Sequence, residues 1–274
     1  MSNIYCFLGG SGTGKSTIAS QIYLPEIKSH TTRQVREGEM GDEYYFVPKE
    51  EYDKIDFLEK IEYSGNFYGT SYEEVNKYVN SNQDCYAVLN REGCEIFKTA
   101  FGNRVKIIYV TLPLEEMASR MRDRGDSEES IVKRIQNAID NNETENYDIA
   151  DCVVTNINLK ESVKYVKMFI NYHKRVYISG KITGLSKEEY ENNFQKAEDY
   201  LKSLGYVDIV NPVKLKPHNN IEDWQGYMRS CVRELATCDE VSVIRGWETS
   251  KGAQEEVRLA GLLGIQVSIL GCKC

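Results

Sequence analysis

The sequence has no surplus of basic residues: 42 aspartates and glutamates outnumber 34 lysines and arginines, and the formal net charge is -8. A general nucleic-acid-binding protein usually carries a basic surface, so this balance argues against that class. It does not exclude nucleotides, because a few local arginines and lysines can hold a phosphate. We therefore expect small-molecule nucleotides as partners and no direct nucleic-acid binding.

Long apolar runs are also absent. No stretch approaches the ~20 apolar residues that a membrane helix needs. The apolar segment at residues 4–8 is too short for a signal-peptide core and leads directly into a glycine-rich loop. We expect neither a secretory signal nor membrane association.

No paired C-x-x-C framework is present among the eight cysteines. Most of them lie in apolar segments, which is typical of reduced thiols in a cytoplasmic protein. The tail Cys272-Lys273-Cys274 is read as two free thiols, with a small metal site as the alternative.

The order of predicted elements indicates two α/β domains. A chain of 274 residues suits two domains at about 100–200 residues each. Strands alternate with helices in both halves, which predicts parallel sheets with right-handed crossovers. Residues 30–83 differ, since they are polar and aromatic with only short strand-like pieces. We place the boundary near His173, which gives domains at residues 1–172 and 173–274.

A phosphate-binding loop follows the first predicted strand. Residues 9–16 fit the pattern G-x-x-x-x-G-K-[ST], between a strand and a helix predicted to run from Lys15 to about Tyr23. Glycines in such a loop let backbone N–H groups turn toward phosphate oxygens. Lys15 is expected to bridge the β and γ phosphates, and Ser16 to bind Mg²⁺. The predicted ATP-binding residues are Gly9, Gly10, Ser11, Gly12, Thr13, Gly14, Lys15, Ser16 and Thr17.

The segments that follow point to a nucleoside monophosphate as the phosphoryl acceptor. Their motifs are residues 29–39, 41–47, 57–59, 63–70, 120–129 and 147–148. In this order they closely resemble the guanylate kinase family over roughly residues 1–172. The resemblance implies a P-loop kinase sheet with lid and acceptor-binding insertions, and ATP and Mg²⁺ as cofactors. The positions that match the family's acceptor site are Ser29, Arg33, Arg36, Tyr44, Glu59, Tyr68 and Thr70.

The chemistry of these side chains suits that acceptor. Arg33 and Arg36, with Tyr44 and Tyr68, can enclose a phosphate through charge-assisted hydrogen bonds. The carboxylate of Glu59 can accept from both N1–H and the 2-amino group of guanine, a donor pair that adenine does not offer.

Three further arginines, Arg120, Arg124 and Arg134, match the family's lid arginines, and the resemblance assigns them with Lys15 to catalysis. Two departures leave the base open among GMP, dGMP and a modified deoxynucleotide. Residues 88–91 replace an acidic run of the family, and the lid stretch at residues 124–127 is about one residue short.

The second half carries shorter motifs, at residues 177–185, 238–239 and 246–256. Together they resemble the nucleoside 2-deoxyribosyltransferase-like superfamily, which includes deoxynucleoside monophosphate N-glycosidases. The resemblance implies a smaller Rossmann- or flavodoxin-like domain, homodimers through it, and a glutamate that attacks C1′ of deoxyribose. The expected ligand-binding residues are Ser179, Gly180, Asp239, Ser250 and Gly252.

Glu256 is the expected nucleophile, because it follows Gly252 by four residues as in the superfamily pattern. A helical wheel places Ala253, Val257, Ala260 and Gly264 on the inward stripe, with Glu256 beside it and Glu255 pointing away. Cys231 stands where superfamily members often have an aspartate. Two hypotheses follow for this half: an active N-glycosidase or deoxyribosyltransferase, or a domain that only binds nucleotide or mediates oligomerisation.

Overall fold

A computed structural model describes residues 2–35, 40–63, 65–81, 83–123, 125–140, 143–220 and 223–271, without the side chains of Tyr63 and Asn220. Within it the chain divides into two compact units, Met1–Val166 and Lys167–Cys274. Both are α/β and both contain a parallel sheet, which confirms the predicted fold class. In the described part of the chain, no helix combines the length and hydropathy needed to cross a bilayer.

The first unit contains fifteen strands and α-helices among the described residues, the last of which runs on into the second unit. In chain order they are β1 (Ile4–Leu8), α1 (Lys15–Ala19), β2 (His30–Thr31), β3 (Tyr45–Phe46), α2 (Lys49–Tyr52), β4 (Phe57–Tyr63), β5 (Asn66–Ser71), α3 (Tyr72–Val79), β6 (Cys85–Val88), α4 (Arg91–Phe101), β7 (Val105–Thr111), α5 (Leu114–Asp123), α6 (Glu128–Asp140), β8 (Cys152–Thr155) and α7 (Leu159–Tyr172).

The main sheet of this unit is parallel, with the strand order β6-β1-β7-β8. All five residues of β1 are buried, as expected for a central strand covered on both faces. One face packs Ile4, Cys6 and Leu8 against Cys94 and Phe97 of α4. Because the strands are parallel, their carboxyl ends meet at one edge, and the loop after β1 lies there.

The helix after the phosphate loop is shorter than predicted. It ends at Ala19 and not near Tyr23. Tyr23 adopts a positive φ of 58°, which is incompatible with a right-handed α-helix. Pro25 follows two residues later.

A second sheet, with the order β3-β2-β5-β4, occupies the stretch where the sequence showed only short strand-like pieces. It is mixed: β2 and β3 pair in parallel, whereas β5 runs antiparallel to both β2 and β4. The expectation of parallel sheets therefore does not cover this insertion. Gly69 allows the close β4–β5 approach, since a Cβ there would lie 2.8 Å from the Glu59 carbonyl oxygen and 2.9 Å from the Tyr52 hydroxyl.

The second unit adds seven elements to the end of α7. They are β9 (Arg175–Ser179), α8 (Lys187–Ser203), β10 (Asp208–Val210), α9 (Trp224–Leu235), β11 (Glu240–Val243), α10 (Lys251–Leu262) and β12 (Gln266–Ile269). Their strands form a parallel sheet with the order β10-β9-β11-β12.

Successive side chains of β9 point to opposite faces of the sheet, and each face packs against different helices. Val176 and Ile178 pack against Phe194 and Leu201 of α8. Tyr177 belongs to the opposite face, where it packs with residues of α9 and α10. Because side chains alternate along a strand, Ser179 shares the face of Tyr177.

A buried carboxylate ties α8 to the segment after β10. Glu198 is 7% exposed and accepts hydrogen bonds from Lys202 (2.8 Å), Lys214 (2.5 Å) and Asn211 (2.9 Å). Burial alone would raise the pKa of Glu198, but these donors outweigh burial and lower the pKa to about 2.

We expect Glu198→Gln to lower the free energy of unfolding by about 2 kcal/mol at pH 7. Since the folded-state pKa is depressed, this stabilisation is present above the ordinary pKa of glutamate and is lost as the pH falls toward 2. Urea unfolding at pH 7 and pH 3 measures it. The difference between variant and wild type should shrink at the lower pH, and the exposed Glu191→Gln should show little difference at either.

Candidate functional site

The phosphate loop adopts a conformation that only glycine allows at several positions. Gly9, Gly12 and Gly14 have φ values of 144°, 85° and 88°. A side chain at Gly9 would overlap the Val110 carbonyl of β7, and one at Gly14 would overlap the Asn156 amide. The loop therefore lies against the carboxyl edge of the sheet, and Thr13 within the loop is buried.

Lys15 lies across this loop. Its ammonium donates to the carbonyls of Gly9 (2.6 Å) and Gly10 (2.8 Å). Burial lowers the pKa of Lys15 to about 8, and the nearby Glu143 partly offsets this. Partial desolvation of a lysine strengthens its attraction for an anion that replaces those carbonyls. The hydroxyl-bearing Ser16 and Thr17 are exposed beside it.

One side chain after β8 braces the loop, and a second side chain, from α5, holds the segment after β8. The Asn156 amide donates to the Thr13 carbonyl at 2.8 Å. Arg120 of α5 donates to the carbonyls of Asn156 (2.6 Å) and Ile157 (3.1 Å). Arg120 also lies close to Gly14, at 4.0 Å from the position of a Cβ there. The structure thus places this predicted catalytic arginine beside the phosphate loop.

The other two predicted lid arginines are Arg134 and Arg124. Arg134 of α6 pairs with Asp126 at 3.5 Å. Within the described residues, no hydrogen bond or ion pair joins Arg134 to the phosphate loop. Arg124 lies outside the described residues.

The three residues expected to read the base lie together at the second sheet: Glu59 and Thr70 are in its strands, and Ser29 directly precedes β2. Glu59 and Thr70 are cross-strand neighbours in the β4–β5 pair. The Thr70 hydroxyl donates to Glu59 Oε1 at 2.6 Å and lies 3.0 Å from the hydroxyl of Ser29. Burial raises the pKa of Glu59, hydrogen bonds from Thr70 lower it, and the charge of Glu92 raises it.

Strand β4, which carries Glu59, packs against α4, and the charge of Glu92 in α4 acts on the Glu59 carboxylate. Glu92 lies in the first turn of α4, directly after β6. β6 pairs with β1 in the register Phe7↔Val88, so α4 and the phosphate loop start from the same carboxyl edge. The phosphate loop and the residues expected to read the base therefore lie at the same edge of the main sheet.

The expected phosphate-holding residues form an aromatic-lined group. The guanidinium of Arg33 lies 5.4 Å from the ring of Tyr44 and 5.2 Å from that of Phe46. Tyr44 contacts Tyr68 edge to face at 5.7 Å. Arg33 is largely buried, and its backbone N–H donates to the hydroxyl of Thr31. Arg36 lies outside the described residues.

In the second unit, Glu256 is buried at the centre of a polar cluster. Its carboxylate accepts from the Tyr177 hydroxyl at Oε1 and from the Ser179 hydroxyl at Oε2, both at 2.6 Å. Burial raises the pKa of Glu256, whereas hydrogen bonds from Ser179, Tyr177 and Cys231 lower it. Burial also raises the pKa of Cys231, to about 11, so this thiol is neutral and acts as a donor.

The other residues predicted for this site divide into two groups. Ser250 caps α10 by accepting from Ala253, and Gly252 has open space up to Met228 Sδ at 3.7 Å. Both lie on the same helix as Glu256. Gly180 directly follows Ser179, and a Cβ added there would lie 3.0–3.2 Å from side-chain atoms of Ile244 and Phe194. The small size of Gly180 therefore serves core packing, and its contact with a ligand stays a prediction.

Two expectations for this unit need correction. Asp239 accepts from the backbone N–H of Arg175 at 2.8 Å, at the start of β9. That is the amino edge of the sheet, opposite Ser179, so Asp239 orients the first residue of the strand and does not reach the Glu256 cluster. Gly264 lies beyond α10, exposed with a φ of 69°, so it does not belong to the inward stripe. Cys272 and Cys274 lie outside the described residues.

Comparison with known proteins agrees with the geometry of the first unit. The sequence pattern described as "Guanylate kinase" matches residues 1–173, more than half of the chain. The chain belongs to the guanylate kinase family. The guanylate kinase of Neisseria gonorrhoeae is 35% identical over 171 residues, covering 58% of this chain and 82% of the relative. That of a Nostoc species is 36% identical over 141 residues, covering 47% and 71%.

A crystal structure of the guanylate kinase from Anaplasma phagocytophilum has a TM-score of 0.49 and 24% identity, covering 60% of this chain and 81% of its own. The pattern that matches residues 174–269 is described as "Domain of unknown function (DUF4406)". Family membership makes the first part of the chain a nucleoside monophosphate kinase, whereas the second match names no activity.

The guanylate kinase domain is compatible with Mg²⁺ bound together with ATP. Mg²⁺ keeps several waters and takes phosphate oxygens, so it needs few protein ligands. The exposed Ser16 hydroxyl at the start of α1 suits one such position. The described ranges contain no group of three or more histidines, cysteines, aspartates or glutamates arranged to hold a metal by themselves.

Sequence reasoning missed three residues of these sites. Asn156 is a polar residue directly after a buried strand, a signal that could have marked it. Tyr177 is a polar-tipped residue inside an otherwise apolar strand, which also could have been noticed. Glu143 lies beside the phosphate loop, and no motif in the sequence distinguishes it from its acidic neighbours.

Proposed function

We propose that residues 1–172 transfer the γ-phosphoryl group of ATP to GMP or dGMP. The observation that carries this proposal is the buried Ser29–Thr70–Glu59 chain. A carboxylate has about four acceptor sites, so Glu59 can accept from Thr70 and still accept from the paired N1–H and 2-amino donors of guanine. An adenine in the same place would leave Glu59 without those donors.

Each residue has a physical role in this transfer. Lys15 releases its loop carbonyls and pairs with the β and γ phosphates, and the loop N–H groups hold the same oxygens. Arg33 holds the acceptor phosphate, together with Arg36 as the family resemblance implies. Arg120 stabilises charge on the transferring group from beside the loop. Bound Mg²⁺, held in part by Ser16, would neutralise phosphate charge.

The test of this proposal is an acceptor screen with the full chain, ATP and Mg²⁺. ADP release is measured with GMP, dGMP, AMP, IMP and modified deoxynucleoside monophosphates. We expect GMP and dGMP to give the largest kcat/KM. ADP formation with none of these acceptors would contradict the proposed reaction.

Glu59→Gln tests the base-reading role. Because an amide can accept only one of the two guanine donors, we expect kcat/KM for GMP to fall about 100-fold. IMP lacks the 2-amino group and should lose less. Glu62→Gln is the matched control, because Glu62 is an exposed residue of the same strand. Equal losses for GMP and IMP would show that Glu59 does not read the 2-amino group.

For residues 173–274 we propose N-glycosidase or deoxyribosyltransferase activity on deoxynucleoside monophosphates. The observation that favours it is the convergence of three donors on the buried Glu256. A carboxylate held in this way is oriented and poorly solvated, as a nucleophile requires. A solvated glutamate in a surface salt bridge lacks this burial.

In this reaction a Glu256 oxygen forms a bond to C1′ as the bond from C1′ to the base nitrogen breaks. The base leaves with the electron pair and takes a proton from solvent. Water, or a second base, then attacks C1′ and releases the Glu256 carboxylate. Screening all common and modified deoxynucleoside monophosphates for free base tests the proposal. Nucleotide binding without any base release would favour the alternative, a domain that only binds.

We also propose that residues 173–274 pair into a homodimer, as the superfamily resemblance implies. The edge strand β12 and the end of α10 expose Leu262, Leu263 and Ile269, which is consistent with a covered face in the assembly. Light scattering of the full chain measures this directly, and a monomer at all concentrations would reject it.

A further inference from the structure

The side chain of Glu143 lies beside the phosphate loop, although no sequence motif marks this residue. Its Oε2 lies 3.5 Å from the position that a Cβ of Gly10 would take. The backbone N–H of Ser11, the next loop residue, directs a hydrogen bond at the carboxylate. The Glu143 carboxylate therefore lies at the rim of the loop, where a nucleotide phosphate is expected to bind.

The backbone around Glu143 is well fixed. Its N–H donates to the Ala138 carbonyl at 2.8 Å. Its own carbonyl accepts from the hydroxyl of Tyr109 on β7 and from the amide of Asn146, both at 3.1 Å. These three bonds hold the residue just beyond α6 and aim its side chain at the loop. Rotation of the side chain is sufficient to move the carboxylate away.

The charge distribution supports the same reading. Burial raises the pKa of Glu143, while Lys15 and the Ser11 amide lower it. Lys15 is the residue that a nucleotide phosphate must also engage. A carboxylate and a polyphosphate at the same rim repel each other strongly in a partly buried site, because the local dielectric screens them poorly.

We propose that Glu143 is an internal anion of the phosphate loop, which competes with the phosphates of a nucleoside di- or triphosphate and so sets the affinity for that nucleotide. This inference rests on the proposed nucleotide binding at residues 9–16. It assigns Glu143 a role in the nucleotide-free protein. The nucleotide binds to the fraction of molecules in which the carboxylate has rotated away, so its apparent affinity is reduced by that fraction.

The test is calorimetric titration of the full chain with ADP in the presence of Mg²⁺. Glu143→Gln keeps the shape of the side chain and removes its charge. We expect it to bind ADP about tenfold more tightly than wild type. Glu145→Gln is the matched control, because Glu145 is an exposed carboxylate two residues away and makes no described contact with the loop. It should bind ADP as wild type does.

Glu143→Ala is the second variant, in case the glutamine amide itself bonds to the loop. It too should bind ADP more tightly, and cooperative thermal unfolding verifies that each variant is folded. Wild-type affinity in both folded variants, or weaker binding, would overturn the role of Glu143 and leave the kinase proposal intact. If wild type, both Glu143 variants and the control all failed to bind ADP, the proposed nucleotide site and the inference built on it would fall together.

Discussion

Lys15→Met is expected to reduce ATP-dependent phosphorylation by about a thousandfold or more, chiefly through kcat. The ammonium of Lys15 is the one cation that the structure lays directly across the phosphate loop carbonyls in the described part of this site. Methionine has nearly the same length and fills the same space. The loop should therefore keep its conformation while losing the charge that stabilises the transferring group.

The measurement is ADP formation under saturating ATP and GMP. Lys160→Met, an exposed lysine of α7 in the same unit, is the control and should keep wild-type activity. Circular dichroism and thermal unfolding should show both variants folded. A folded Lys15→Met that retained more than a tenth of the wild-type rate would remove the central role given to this residue.

The second large effect is expected in the other half of the chain. Glu256→Gln should lower free-base release from deoxynucleoside monophosphates by about a thousandfold, because a neutral amide cannot attack C1′. The glutamine oxygen can accept from one of the two hydroxyls, Tyr177 or Ser179, and its NH₂ group can donate to the oxygen of the other, so the cluster should remain folded. Glu255→Gln changes the adjacent residue, which pairs with Arg258 on the exposed side, and should leave release unchanged.

Stability provides an independent signature for Glu256. Its folded-state pKa is raised above the ordinary value, chiefly by burial. Such a group costs no stability below the ordinary pKa of glutamate, and stability is lost as the pH rises through the folded pKa. Glu256→Gln should consequently be at least as stable as wild type at pH 7. An inactive variant of unchanged or higher stability marks a functional carboxylate, whereas a large loss of stability would indicate a structural one.

Local sequence patterns were sufficient to predict the features that depend on residues close together in the chain. The loop at residues 9–16 was predictable because its glycines, lysine and serine act as one continuous segment. Most strands and helices were predictable for the same reason, since burial on both faces produces apolar runs such as residues 105–111. The end of α1 was not, because Tyr23 and its positive φ are set by how the chain turns back toward Pro25.

Contacts across the sheet were beyond the reach of such patterns. Residues 30–83 gave no clear periodicity, yet they form a four-stranded mixed sheet in which Glu59 and Thr70 pair across β4 and β5. The family resemblance placed both residues at the base, and the register shows how they hold each other. For Asp239 the structure disagreed with the sequence. A short motif predicted a ligand contact, but Asp239 lies at the amino edge of the sheet, opposite the Glu256 cluster.

The sequence by itself determined the α/β class, the position of the phosphate loop and the identity of the guanylate kinase motifs, because each depends on residues close together in the chain. Only the tertiary structure decided that Tyr177, Ser179 and Cys231 converge on Glu256, and that the Glu143 carboxylate contacts the phosphate loop. Those contacts join residues from different strands and helices. Their energies depend on burial and on the distance between charges, and neither quantity exists until the chain has folded.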